Sequence, residues 1–158
     1  MRKLLSSGLV AFAGVVSLPV AAPFPQVQSV STPKYGHDPR FVTLRNFFDK
    51  FNCPAKQYSD VFLEAADDNA LDWRLLPSIS YIETTGGKWA RNNNLFGWDS
   101  GRAQFSTPAA GIHTVGERLA NSIRYRSKDL DQILETYNSG VSYARRVKFV
   151  MRSIAAVQ

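Results

Sequence analysis

The residues best suited to chemistry lie close together in the chain. Glu83 closes an apolar run, Leu75-Leu76-Pro77-Ser78-Ile79-Ser80-Tyr81-Ile82, and Thr84-Thr85-Gly86-Gly87 follows at once. A polar and then aromatic string comes next, Asn92-Asn93-Asn94-Leu95-Phe96-Gly97-Trp98. A carboxylate at the end of a buried helix, facing a Gly-rich turn and a wall of Asn, Phe and Trp, has the setting of a general acid. Apolar walls disfavour a charged carboxylate and keep its proton in place near neutral pH. Protonating a glycosidic oxygen is a reaction that needs such an acid.

The elements that must position Glu83 read as helices. Asp38 and Pro39 suit an N-cap and a first helical position, and Phe41, Leu44, Phe47, Phe48 and Phe51 then recur at helical spacing. Asn52-Cys53-Pro54 stops that helix. A second helix is expected from Ala55 to Asn69, with Tyr58, Val61, Phe62, Ala65 and Ala66 on one face. The third carries Glu83. Asp72 is placed to cap it, Pro77 falls near its first turn, and Leu76, Ile79 and Ile82 form its inward stripe. Ser80 and Glu83, three apart, share the boundary of the buried side, which puts Glu83 on the floor of a cleft.

Residues 88–106 carry no helical period, and Asn, Gly, Trp, Asp and Gln dominate them. A loop of that length inside a compact domain is usually functional. An irregular loop with a short hairpin around Asp99-Ser100-Gly101 is expected. Thr107 and Pro108 open a fourth helix with Ile112, Val115, Leu119 and Ile123 as its apolar stripe. A short fifth helix covers Leu130 to Thr136. The last runs from Ser142, with Tyr143, Val147, Val150, Met151 and Ile154 inward. The pattern predicts an all-α domain of about six helices with a long irregular cleft loop.

Composition narrows the classes of function. A chain of 158 residues, 44% hydrophobic and 20% charged, suits one domain with a sizeable core. Its formal charge of +6 points to an anionic partner such as a cell-wall polymer or a membrane surface. Nucleic acid is disfavoured, because the basic residues form no run and are scattered between apolar ones. Cys53 is the only cysteine, so no intrachain disulfide forms. A catalytic cysteine needs a nearby His, and His37 and His113 both lie far off in sequence. Two isolated histidines make no metal site, and Asp67-Asp68-Asn69 reads as a solvated turn. No cofactor or metal is expected, and the chain is expected to be a monomer.

The N-terminus has the layout of a secretory signal peptide. Arg2 and Lys3 precede a charge-free apolar stretch from Leu4 to Ala22 that ends in small residues. Residues 1–22 are therefore expected to direct export to the periplasm or beyond, with membrane attachment only if the segment stays uncleaved. Residues 23–38 are rich in Pro, Ser, Val and Gln and read as an arm or linker. The globular unit is expected over 39–158.

Two motifs bring a family resemblance. Ile82-Glu83-Thr84-Thr85-Gly86 and Asn93-Asn94-Leu95-Phe96-Gly97 resemble the glucosaminidase domain of bacterial cell-wall hydrolases, a branch of the lysozyme-like superfamily. The resemblance implies that the helix-end Glu83 is the catalytic acid and that the Asn-Asn-Leu-Phe-Gly loop shapes a sugar cleft. Phe105-Ser106 also resembles part of that family's Phe-x-x-Tyr-x-Ser segment, without its Tyr. The C-terminal part is similar to soluble lytic transglycosylases as well, through Tyr137-Asn138-Ser139-Gly140 and through Tyr143 and Val147 in the helix that follows. It departs from them at Glu83-Thr84-Thr85, where they carry Glu-Ser-Gly, and in lacking their Gly-Leu-Met-Gln segment.

A retaining or inverting glycosidase needs a second carboxylate at a defined distance. Asp99 is the nearest candidate, with a plain turn residue as its other reading. Without a second acid, the substrate's own N-acetyl group assists departure of the leaving group; Tyr137 would then orient that group and Asn138 bind it. Phe96, Trp98, Phe105 and Tyr137 are candidates to stack on sugar faces, with core packing as the alternative. Trp98 and Tyr137 lean towards the cleft; Trp73 and Trp89 lean towards core or rim. Asn93, Asn94 and Gln104 offer amides to N-acetyl and hydroxyl groups, or else cap the loop. The resulting expectation is a peptidoglycan glycosidase of N-acetylglucosaminidase type acting through Glu83 and Tyr137. The alternatives are a lytic transglycosylase leaving 1,6-anhydro ends and a non-catalytic wall-binding module.

Overall fold

The computed structural model describes residues 34–156, so the expected signal segment and the first part of the Pro-rich arm lie outside the described residues. Six α-helices follow in order: α1 Pro39–Lys50, α2 Ser59–Asp68, α3 Leu75–Thr84, α4 Pro108–Asn121, α5 Leu130–Tyr137 and α6 Tyr143–Ala155. Among the described residues no strand forms, only an isolated bridge between Arg91 and Asn94. The domain is all-α, with the architecture expected of a lysozyme-like helical unit.

Local sequence explains most helix starts. The Asp38 carboxylate accepts from the Arg40 amide at 2.8 Å, and Pro39 occupies the first turn of α1. Thr107 Oγ1 accepts from the Ala110 amide at 3.0 Å to open α4. Asp129 and Gln132 form a capping box at α5. At α3 the expected cap is replaced. The Asp72 carboxylate accepts from the Arg74 amide at 2.9 Å, ahead of the helix, and Arg74 occupies the cap position without a side-chain bond.

Three further expectations are corrected. The second helix begins at Ser59 and not at Ala55, because Pro54–Tyr58 forms a 3-10 turn. The Ala55 amide is drawn to the Gly86 carbonyl at 2.9 Å, which ties this turn to the end of α3. The α4 stripe stops at Leu119. Ser122 turns extended and its hydroxyl bonds back to the Arg118 carbonyl, so Ile123 stands 85% exposed while Tyr125 enters the core. The packed unit also starts before Pro39. Tyr35 is buried with its hydroxyl donating to Asp67 at 3.2 Å, and Lys34 pairs with Glu64 at 3.1 Å.

The core forms where α3 crosses α6 and α2 crosses α4, with α1 against α2 and α6 and α5 against α6. Phe47, Phe48, Phe62, Leu76, Ile79 and Leu119 are almost wholly inaccessible. Each such side chain contributes about 1.5–3 kcal/mol by leaving water. α3 is the central element: every residue from Leu75 to Ser80 is buried. That overturns the boundary position expected for Ser80, which neighbouring helices cover completely. Glu83, one turn on, is half-buried, at the place where the helix leaves the core.

Candidate active site

Four elements converge on Glu83: the end of α3, the loop at Gly97, the end of α5 at Tyr137 and the start of α6 at Tyr143. The helix ends sharply just behind it. Thr85 adopts a left-handed conformation (φ +53°), and the Thr85 and Gly86 amides bond back to the Tyr81 and Ser80 carbonyls. Gly86 has to be glycine here, since a Cβ would lie 2.7 Å from Cys53 Cβ. Thr84 then ties the helix end to the loop. Its buried hydroxyl donates to the Leu95 carbonyl at 2.8 Å and accepts from the Gly87 amide at 3.0 Å.

That tie brings the loop down onto the carboxylate. Gly97 (φ +58°) faces Glu83 so closely that a Cβ there would stand 3.0 Å from Glu83 Oε2. The loop is held in this path by Asn94, which is 2% exposed. Its amide nitrogen donates to the Trp98 and Ala103 carbonyls (3.0 and 3.2 Å), and its oxygen accepts from the Phe96 and Trp98 amides (3.3 and 3.0 Å). Both ends of the side chain are occupied, so Asn94 shapes the loop and offers nothing to a sugar. Phe96 is corrected in the same way. Its ring is buried at 0% exposure against Phe62, leaving no face for stacking.

Two tyrosines complete the setting. Tyr137 and Tyr143 stack with ring planes 7° apart and centroids at 5.9 Å. The Tyr137 hydroxyl donates to the Phe96 carbonyl. Burial, and then the Glu83 charge, raises the Tyr137 pKa well above its ordinary value. The Tyr143 hydroxyl is also buried, and Glu83 is the acceptor beside it. Burial first, and the adjacent Glu83 charge second, push its pKa far up. Both phenols therefore stay protonated and act only as donors or neutral walls. Tyr143, read from its spacing as an inward residue of the last helix, is thus also a neighbour of the carboxylate; no local signal beyond the family likeness marks it.

Beside Gly97 and Tyr137 opens a cavity of about 530 Å³, lined also by Trp98, Arg118, Arg124 and Tyr125. Glu83 does not line it, but Gly97 and Tyr137, which lie against Glu83, do. Trp98 sits edge-on to Tyr137 at 5.6 Å and tilted against Tyr125 at 6.1 Å. Trp98 and Tyr137 are thus brought together on the cavity wall. Asp99 is on its rim, exposed and left-handed (φ +53°), with its carboxylate paired to Arg102 at 2.8 Å. It is the turn residue of the alternative reading. Asn93 is exposed and donates to the Phe105 and Ser106 carbonyls at 2.9 and 3.2 Å, bracing the loop against the start of α4. Gln104 is exposed, and Asn138, also exposed, accepts from the Gly140 amide at 3.0 Å; neither lines the cavity. Arg118, Arg124 and Tyr125 escaped the sequence reading, and the one signal for them is an aromatic residue set among charges at Arg124-Tyr125-Arg126.

The chain is similar to a known cell-wall enzyme. It is 29% identical over 113 residues to the Membrane-bound lytic murein transglycosylase F of Aeromonas hydrophila subsp. hydrophila. The match takes in 70% of this chain and 22% of that protein, so the chain spans about a fifth of its relative's length. No protein-family profile matches the chain. The likeness is to a lytic murein transglycosylase and lends nothing to the glucosaminidases in particular. Among the described residues, no helix is long and apolar enough to cross a membrane, and no cluster of His, Cys, Asp and Glu is arranged to hold a metal ion.

Proposed function

We propose that this chain cleaves the glycan strands of peptidoglycan as a lytic transglycosylase, with Glu83 as general acid and then general base. The observation that carries the reading is the single carboxylate set against Gly97 and two protonated tyrosines, with the nearest other candidate, Asp99, turned out to Arg102. One acid suffices where the substrate supplies its own nucleophiles. Glu83 donates its proton to the glycosidic oxygen, and the C1–O bond breaks as the N-acetyl carbonyl oxygen closes on C1. The carboxylate left behind takes the proton of the C6 hydroxyl, whose oxygen attacks C1 and releases the N-acetyl oxygen. A 1,6-anhydro end results, Glu83 is protonated again, and no water is consumed. The buried Tyr143 hydroxyl, beside Glu83, is placed to donate to its carboxylate between the two steps. Tyr137, bonded to the Phe96 carbonyl, positions the loop under the sugar.

This reading reverses the preference for hydrolysis drawn from the Asn-Asn-Leu-Phe-Gly string. Asn94 and Phe96 owe their identities to loop architecture, and the relative is named a transglycosylase. Export follows the same reading, since the substrate lies outside the cytoplasmic membrane and Arg2-Lys3 with Leu4 to Ala22 has a signal layout.

The test is mass spectrometry of the products released from purified peptidoglycan by the wild-type protein and by Glu83→Gln. Products lighter by one water than the hydrolytic ones are expected from the wild type. The variant should lose about 10²–10⁴-fold in rate, with its melting temperature nearly unchanged. Reducing-end products would restore the hydrolase, and full activity in Glu83→Gln would remove Glu83 from the mechanism. Sedimentation with the wall without any release would make the chain a binding module.

A further inference from the structure

We propose that the cavity beside Glu83 contains a carboxylate-binding subsite built from Arg118 and Arg124. The inference rests on the reading that the chain acts on peptidoglycan, and it names which part of that polymer the cavity takes. Arg118 comes from the last turn of α4, and its guanidinium lies 5.9 Å over the Trp98 ring. Arg124 comes from the segment after α4. Its guanidinium lies 5.8 Å over the Tyr125 ring, and one of its nitrogens donates to the Thr136 carbonyl at 3.0 Å. Both line the cavity.

Three arginines elsewhere in the domain are matched with acids, and the others, like Arg118 and Arg124, pair with none among the described residues; Arg118 and Arg124 are set apart by lining one cavity together. Arg40 pairs with Asp38 and Asp67, Arg74 with Asp72, and Arg102 with Asp99. Among the described residues, no carboxylate pairs with Arg118 or Arg124. Asp99, the acid on the cavity wall, is already taken by Arg102. Resting on aromatic rings limits the wandering of both guanidiniums and leaves in-plane donors for a ligand. A fork of N–H groups matches a carboxylate in two parallel bonds. An uncharged sugar has no group that calls for two cations beside aromatic walls. A carboxylate attached to the saccharide does, and peptidoglycan offers it in two places: the acidic residues of the stem peptide and, where the stem has been removed, the lactyl group of the muramyl sugar, whose carboxyl is otherwise held in the amide to the stem.

Binding by the non-cleaving Glu83→Gln protein separates this proposal from the catalytic one. Calorimetric titrations would use three probes: muropeptide oligomers with their stems, stem-free glycan with free lactyl carboxylates, and neutral chitotetraose. Adding Arg118→Gln or Arg124→Gln should weaken the carboxylate-bearing probes about tenfold, and chitotetraose hardly at all. Arg124→Lys, which keeps the charge but not the fork, should fall between. Raising the salt to about 0.5 M should shrink the difference. Loss on the stem-free probe alone assigns the lactyl group, loss on the stem-bearing probe alone assigns the peptide, and loss on both shows that the fork takes either carboxylate. Unchanged affinity for the anionic probes, equal loss on chitotetraose, or no binding of any probe would overturn the subsite. Failure of the catalytic reading shows elsewhere, as undiminished digestion by Glu83→Gln.

Discussion

Gly97→Ala is the sharpest probe of how the carboxylate is held. The new Cβ would stand 3.0 Å from Glu83 Oε2, 3.7 Å from Cδ and 3.8 Å from Glu83 Cβ. The carboxylate would have to retreat by a few tenths of an ångström. A misplacement of about 1 Å at a reacting group costs about 10²-fold, so the shift expected here costs roughly threefold to tenfold in rate. The backbone adds a second effect, because φ is +58° at Gly97. A side chain in that region costs roughly 1–2 kcal/mol, a fall of roughly 3–8 °C in melting temperature for a domain of this size. Gly101→Ala supplies the control: φ is +81° there, and nothing lies within 4 Å of its Cβ. It should show the thermal loss without the catalytic one. Peptidoglycan clearing rates and thermal melts of the two variants, measured side by side, decide the matter. Equal activity in both would refute the claim that Gly97 seats the Glu83 carboxylate.

Other perturbations test the surroundings. Asn94→Ala strands the Ala103 carbonyl and the Phe96 and Trp98 amides of the loop and should cost about 2–4 kcal/mol, read as a lowered midpoint in urea unfolding. Hydrogen bonds from Arg40 hold the Asp38 and Asp67 carboxyls below the ordinary carboxylate range. Their folded pKa is depressed, so the stability they add is present above about pH 4 and fades as the pH falls through the lowered values. Asp67→Asn should therefore flatten the loss of stability on acidification; a profile as steep as the wild type would contradict this. Burial raises the pKa of the Cys53 thiol, which lies beneath Gly86 and is 4% exposed. It should resist a thiol reagent at pH 8 until the protein is unfolded by denaturant, and rapid labelling of the native protein would count against the tight packing at the end of α3.

Periodicity carried most of the helical architecture. The inward stripe of α6, Tyr143, Val147, Val150, Met151 and Ile154, is buried throughout, and Thr107-Pro108 opens α4 at the expected residue. These features follow from near neighbours along the chain, since a spacing of three or four residues and an oxygen-bearing cap act within one or two turns. Glu83 stood out for the same local reason, as an acid placed where an apolar run breaks off. Other features depended on distant partners. Ala55 was drawn from its helix by the Gly86 carbonyl, and Ile123 lost its place because the chain turns at Ser122 to bury Tyr125. The amides and rings of the cleft loop look alike in sequence. The fold alone turned Asn94 and Phe96 inward, left Trp98 on a cavity wall, and set Arg118 and Arg124 beside it. The placement of Glu83 against Gly97, Tyr137 and Tyr143 belongs to this second kind. It arises where α3, α5, α6 and a loop meet, and a contact between residues that far apart in the chain leaves no period or spacing to read.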